Sequence, residues 1–282
     1  MSLFHKDGAQ APADPTKVTM SPDAVRRLRE LRGDDGKGQL FTSDLSVSEY
    51  VVLRNAGFAP AGLVVGSSIF HVGYQRTAWS QNMEMEVLSQ AMYSARELAM
   101  DRMEEEAAAL GADGIVGVRL EVKKYAFADD ILEFMAIGTA VRARDGQSYR
   151  TPQGKPFTSD LSGQDFALLL STGHAPAGLV MGSCVYHVAH MSMRQAWKTM
   201  LQNTELVAFT QALYDAREIA MERMQAEAKA LGAQGIVGVV VHENNHQWEP
   251  HVIEYFAIGT AIVPHATALA PPAPTLVMTV DG

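Results

Sequence analysis

Apolar residues recur every three or four positions from Met85 through Leu88, Met92, Ala95, Ala99, Met103 and Ala107 to Leu110. That spacing is one buried face of a long α-helix. The same stripe returns as Leu206, Phe209, Leu213, Ala216, Ala220, Met224, Ala228 and Leu231. Gly111 and Gly232 follow at once and stop each helix, because glycine tolerates the left-handed C-terminal position. Before the first stripe lies Gly62 to Val72, β-branched and punctuated by glycine, which predicts a strand. After it come two more apolar runs, Ile115 to Val122 and Ile131 to Arg142, joined by a polar loop. A short helix precedes them all. Ser46 with Glu49 fits a capping box, and Gly57 suits its stop. The unit therefore reads helix, strand, long helix, strand, strand. It is an α+β unit with its helix packed on an antiparallel-type sheet.

The pattern occurs twice because the chain is an internal duplication. Phe41-Thr42-Ser43-Asp44-Leu45-Ser46 returns unchanged as Phe157 to Ser162, and Ala59 to Val64 returns as Ala175 to Val180. The offset is 116 residues there (157 minus 41) and 121 at the helix ends (231 minus 110), after an insertion near Arg194. Such a period is a duplicated domain, far longer than a solenoid repeat. The expected organisation is a tail over 1–40, a first domain over 41–142, a linker over 143–156, a second domain over 157–263 and a tail over 264–282. The first tail is broken by Pro12, Pro15 and the glycines from Gly33 to Gly38, with a short helix after Ser21-Pro22-Asp23. The linker carries Gly146, Pro152, Gly154 and Pro156. The last segment is rich in Ala and Pro, a composition expected to be disordered.

Strand alternation raises a burial problem. In the last strand of the first copy, Leu132, Phe134 and Ala136 point one way, and Ile131, Met135 and Ile137 the other. One helix covers one face of a sheet, so a sheet apolar on both faces needs a second surface. Another copy of the unit is the simplest one. Burial alone predicts oligomerisation.

Composition narrows the functional classes. With 23 Lys+Arg against 32 Asp+Glu the net charge is −9 and no basic run exists, which argues against a nucleic-acid partner. Cys184 is the only cysteine, so no intrachain disulfide or thiolate metal cage forms. No segment reads as a signal peptide or a membrane span. The expectation is a soluble, cytoplasmic protein without a membrane partner.

Several separated motifs carry a family resemblance. Ala95-Arg96-Glu97-Leu98-Ala99, Ala109 to Val118 and Ile137-Gly138-Thr139-Ala140-Val141 together resemble the YbjQ-like family. The second copy matches through Ala216-Arg217-Glu218-Ile219-Ala220, Leu231 to Val239 and Ile258-Gly259-Thr260-Ala261. That family bears a heavy-metal-binding label. The resemblance implies a small α+β fold related to the dodecin subunit, assembled into five-fold rings.

Candidate chemistry is sparse. No phosphate loop, zinc-protease motif, nucleophile elbow or paired-cysteine motif is present, so no enzyme is expected. Cys184 with His187 invites a thiolate–imidazole reading, but residues three apart on a strand face opposite ways, and Ser68 stands at the matching place in the first copy. A buried structural cysteine is the favoured reading. His242, His246 and His251 with Glu243 surround one strand–loop–strand of the second copy and offer ligands for a divalent transition metal such as Zn. Along an extended strand, however, positions 242 and 246 stand roughly 13 Å apart, and Glu121, Tyr125 and Asp130 replace the histidines in the first copy. A polar hairpin tip is the plainer reading.

Arg96 and Arg217 fall inside the apolar stripes of their helices, where a guanidinium needs a partner. Glu133 and Glu254 hold matching positions on the last strands. The expected pairs are Arg96 with Glu133 and Arg217 with Glu254, structural ion pairs within a subunit or across an interface; an anion pocket is the alternative. Trp79, Tyr93, Trp197 and Tyr214 lie at or near the long helices, as interface packing or as a platform for a planar ligand, such as the flavin of dodecins. The reading is a non-enzymatic, ring-forming homo-oligomer, with a metal- or ligand-binding oligomer sited at subunit seams as the alternative. A five-domain ring cannot be tiled by chains giving two domains each. The expected form is five chains building two paired rings, because divergence between the copies suits rings of identical neighbours; three chains building one ring of six domains is the alternative.

Overall fold

The computed structural model describes residues 20–34, 36, 40–71, 82–124, 131–189, 206–245 and 252–265. Most of both tails, Trp79, Trp197, His246 and His251 lie outside the described residues.

A first helix, α1 (Pro22–Arg32), starts at Ser21, whose hydroxyl accepts from the Ala24 amide, and ends at Gly33 with φ 77°. Its Leu28 and Leu31 are buried. The first copy then runs α2 (Val47–Asn55), β1 (Phe58–His71), β2 (Met83–Glu84), α3 (Glu86–Ala109), β3 (Gly114–Lys124) and β4 (Ile131–Ala143). The second runs β5 (Phe157–Thr158), α4 (Gly163–Ser171), β6 (His174–His187), α5 (Val207–Ala230), β7 (Gly235–Asn245) and β8 (Val252–Pro264). The fold is α+β, and each copy contains the helix, strand, long helix, strand, strand order read from the sequence. The Ser46–Glu49 capping box is present on α2.

Each sheet is a three-stranded antiparallel unit extended by a two-residue strand from the other copy. The first sheet has the order β1-β4-β3-β5, the second β2-β6-β8-β7. Phe157 and Thr158 of the second copy run parallel to Gly114 and Ile115 of β3. Met83 and Glu84 of the first copy pair with His187 and Tyr186 of β6. The copies thus lend each other sheet edges as well as faces.

The layers run first sheet, α3, second sheet, α5. Met92, Ala95, Ala99 and Met103 of α3 join Val64, Phe134 and Ala136 of its own sheet in one core, which also takes in Met181, Val185, Phe256 and Ile258 from the second sheet. Ala212, Ala216, Ala220 and Met224 of α5 form a second core with Val180, Cys184, Tyr255 and Ala257. In β4 buried and half-buried residues alternate through Ile137, whereas β8 is buried at every position through Ala261. The second surface that the sequence demands is therefore supplied, for one of the two sheets, inside the chain. A third core joins Leu53, Phe58, Phe157, Phe166 and Tyr149 where α2 meets α4.

Candidate functional site: the seam between the two copies

Helix α3 buries two faces. One lies on its own sheet, and the other presents Ser89, Tyr93 and Arg96 to the second copy. Arg96 Nη1 sits 2.7 Å from Glu254 Oε1, with the side chains 2% and 0% exposed. Ser183 Oγ donates to the same carboxylate oxygen at 2.9 Å, and Asn244 Nδ2 donates to the other at 3.2 Å. The guanidinium carbon lies 4.0 Å from the centre of the Phe256 ring and 5.4 Å from that of Phe134. Two aromatic faces thus flank a cation whose Nε and Nη2 have no hydrogen-bond acceptor.

Arg96 therefore pairs across the copies and not with Glu133. Strand alternation supplies the reason. Phe134 faces α3, so Glu133 points away from it, to the outer side of the first sheet, while Glu254 of the second sheet points back toward α3. Arg217 correspondingly does not reach Glu254. It lies on the outer side of α5, 3.2 Å from Glu218 and stacked over the Tyr214 ring at 4.6 Å. Tyr214 is 49% exposed.

Further polar contacts reinforce the seam. The Val185 amide donates to Ser89 Oγ and the Met85 amide to the Val185 carbonyl, both at 2.8 Å. Arg223 holds Glu84 at 2.5 and 3.1 Å and donates to the Ser183 carbonyl at 2.6 Å. Tyr93 donates its hydroxyl to Glu227, whose other oxygen accepts from the Met181 amide at 2.8 Å. Burial pushes the Glu227 carboxyl above its ordinary range, against the lowering effect of those two donors. Burial and the neighbouring Glu227 raise Tyr93 as well, which keeps its hydroxyl a donor at neutral pH. A cavity of about 670 Å³ opens along this seam beside Tyr93, Arg223 and Glu227, where Arg223 already holds Glu84 and Glu227 already accepts from Tyr93 and the Met181 amide.

Ser89, Ser183, Glu84, Arg223 and Glu227 are seam residues that the sequence reading passed over. The duplication held the signal for four of them, since Ser67, Glu205, Arg102 and Glu106 repeat Ser183, Glu84, Arg223 and Glu227 at the same offsets.

Elsewhere the candidates stay apart. Cys184 is fully buried and belongs to the α5 core. Burial, with Glu84 nearby, pushes its thiol up to about 12. A thiol reagent at neutral pH is expected to leave the folded chain unmodified and to react stoichiometrically once urea unfolds it; rapid labelling of folded protein would contradict this burial. His242 is exposed on β7, its ring 6.2 Å from that of Phe256. Among the described residues no group of three or more His, Cys, Asp or Glu is placed to hold a metal ion. Nor is any described helix long and apolar enough to cross a membrane.

Comparison with known proteins decides the family. The model of the YbjQ_1 family, described as "Putative heavy-metal-binding", matches residues 41–144 and again 173–265. The chain belongs to the YbjQ-like family. It is 48% identical over 224 residues to a Mycobacterium tuberculosis protein named "Encapsulin nanocompartment protein Rv1762c", covering 79% of this chain and 85% of that one. A UPF0145 protein of Halorubrum lacusprofundi is 42% identical over 88 residues, 29% of this chain and 83% of its own. Another, from Pseudothermotoga lettingae, is 38% identical over 87 residues, covering 30% and 78%. The UPF0145 relatives thus correspond to one YbjQ-like copy, whereas the mycobacterial relative spans the tandem.

Proposed function

We propose that this protein is a non-enzymatic, cytoplasmic, ring-forming assembly protein, whose repeating interface is the seam between its YbjQ-like copies and whose setting is an encapsulin nanocompartment. The observation that carries the assembly reading is the buried Arg96–Glu254 pair with α3 pressed between two sheets. It is an interface between domains, built with core-like burial, in a chain that carries each component twice. The nanocompartment setting is taken from the name of the mycobacterial relative.

The seam also bears on the ring. Two paired five-fold rings would place the copies of one chain in different rings. Packing α3 directly on the second sheet makes them side-by-side neighbours, which favours one ring in which the copies alternate. Going from five domains to six changes the turn per domain from about 72° to about 60°, a small adjustment per interface. Light scattering of purified protein is expected to give the mass of three chains. Five chains would restore the paired-ring arrangement, and a single chain at all concentrations would overturn the assembly reading.

A further inference from the structure

The seam inside the chain joins one half of each duplicated surface, and the complementary halves lie outside, at opposite ends of the layered stack. Val185 is fully buried in the seam whereas its counterpart Ile69 is 63% exposed. Arg96 and Glu254 are buried, whereas Arg217 is 42% exposed on α5 and Glu133 is half-buried on the outer face of the first sheet. We propose that the outer face of α5 in one chain docks on the outer face of the first sheet in a second copy, reproducing the seam with Arg217 against Glu133. This rests on the homo-oligomer reading and names the surfaces that build it.

Three separate elements point to the same occupant in the same direction. The first is charge: a cation on the helix side meets a carboxylate on the sheet side, as Arg96 meets Glu254. The second is the sheet edge. Phe157 seats its ring where a Cβ on Gly114 would stand, 2.1 Å from that position. The counterpart Gly235 has no atom nearer than 3.9 Å to its Cβ position, while Phe41, the counterpart of Phe157, is 41% exposed. Phe41 and Thr42 of the next chain are thus matched to β7 as Phe157 and Thr158 are to β3. The third is the short helices. Gly163 of α4 packs against Glu49 of α2, its Cβ position 3.0 Å from the Glu49 Cβ. The equivalent face of α2 leaves Val47 82% and Val51 48% exposed. Each element runs from a second copy to a first copy, so the contact is head-to-tail and propagates into a ring. The outer halves carry contacts of their own. Glu106, the counterpart of Glu227, is already held by Arg27 of α1 at 2.6 Å, so Tyr214 meets a paired carboxylate there. Arg217 exchanges its exposed contact with Glu218, and Glu133 an existing contact, for the new pair.

Charge exchange tests the proposal. Arg217→Glu and Glu133→Arg are each expected to shift the light-scattering mass from the assembly to the single chain, and the double variant to restore the assembly. Circular dichroism and thermal melts verify folding. A second variant covers the case in which a reversal fails to fold. Phe41→Cys with Gly235→Cys, in a Cys184→Ser background, is expected to give a ladder of whole-chain multimers under oxidation that reduction collapses. A wild-type assembly whose mass neither reversal changes, or oxidised chains that remain single, would overturn the docking surfaces while leaving the homo-oligomer standing. A wild-type protein that is a single chain throughout would overturn the homo-oligomer itself.

Discussion

Replacing Arg96 with methionine is expected to lower the unfolding free energy by about 3–5 kcal/mol, because it strands a buried carboxylate without its cation. Glu254 is fully buried, and Ser183 and Asn244, which also donate to it, are neutral and cannot replace the guanidinium charge. Adding Glu254→Gln removes the stranded charge, so the double variant is expected to recover most of the loss, to within about 1–2 kcal/mol of the parent. Arg217→Met supplies the contrast. In the single chain its ion pair with Glu218 is exposed on both sides, and such pairs contribute less than about 1 kcal/mol. Urea titrations of the four proteins at low concentration measure these differences, because assembly would add a concentration-dependent term. An Arg96→Met chain as stable as its parent would show that the seam is not the core of the fold.

Much of this architecture was legible because it is local. The 3.6-residue stripes, the Ser46 cap and the stops at Gly57, Gly111 and Gly232 depend on residues within a turn or two of one another, and the structure contains each. Alternation on β4 likewise predicted a sheet with two apolar faces. The failure at Arg96 came from treating α3 as one-faced. A helix between two sheets buries a face on each of them, so Arg96 can lie within the apolar stripe and still face away from its own sheet. Alternation already placed Glu133 with Ile131 and Met135, on the side opposite Phe134, and so argued against the expected pair. The exchanged strands at Met83–Glu84 and Phe157–Thr158 were invisible for a different reason. Two residues have no periodicity to read, and their place is set by the neighbouring copy.

Alanine at Gly66 is expected to be among the costliest single-methyl additions in the chain. A Cβ there would stand 2.0 Å from the Ala99 carbonyl oxygen and 2.5 Å from the Met103 nitrogen. These are backbone atoms of α3, so no rotamer change relieves the clash, and the helix must lift. Gly182 repeats the arrangement under α5, with its Cβ position 1.9 Å from the Ala220 carbonyl oxygen and 2.7 Å from the Met224 nitrogen. The two helices differ in what lies behind them. Lifting α3 drives Ser89 and Arg96 into the second sheet and breaks the Glu254 pair, whereas α5 in a single chain can move outward into solvent. Gly182→Ala should therefore cost about 1–3 kcal/mol, the usual range for overpacking, and Gly66→Ala more than about 3 kcal/mol. Once a second copy covers the outer face of α5, that freedom is lost and the two costs should converge. Thermal unfolding of both variants across a protein dilution series reads the difference: a gap between them at low concentration that closes as assembly proceeds. Equal costs at every concentration would mean that α5 is held in the single chain as firmly as α3.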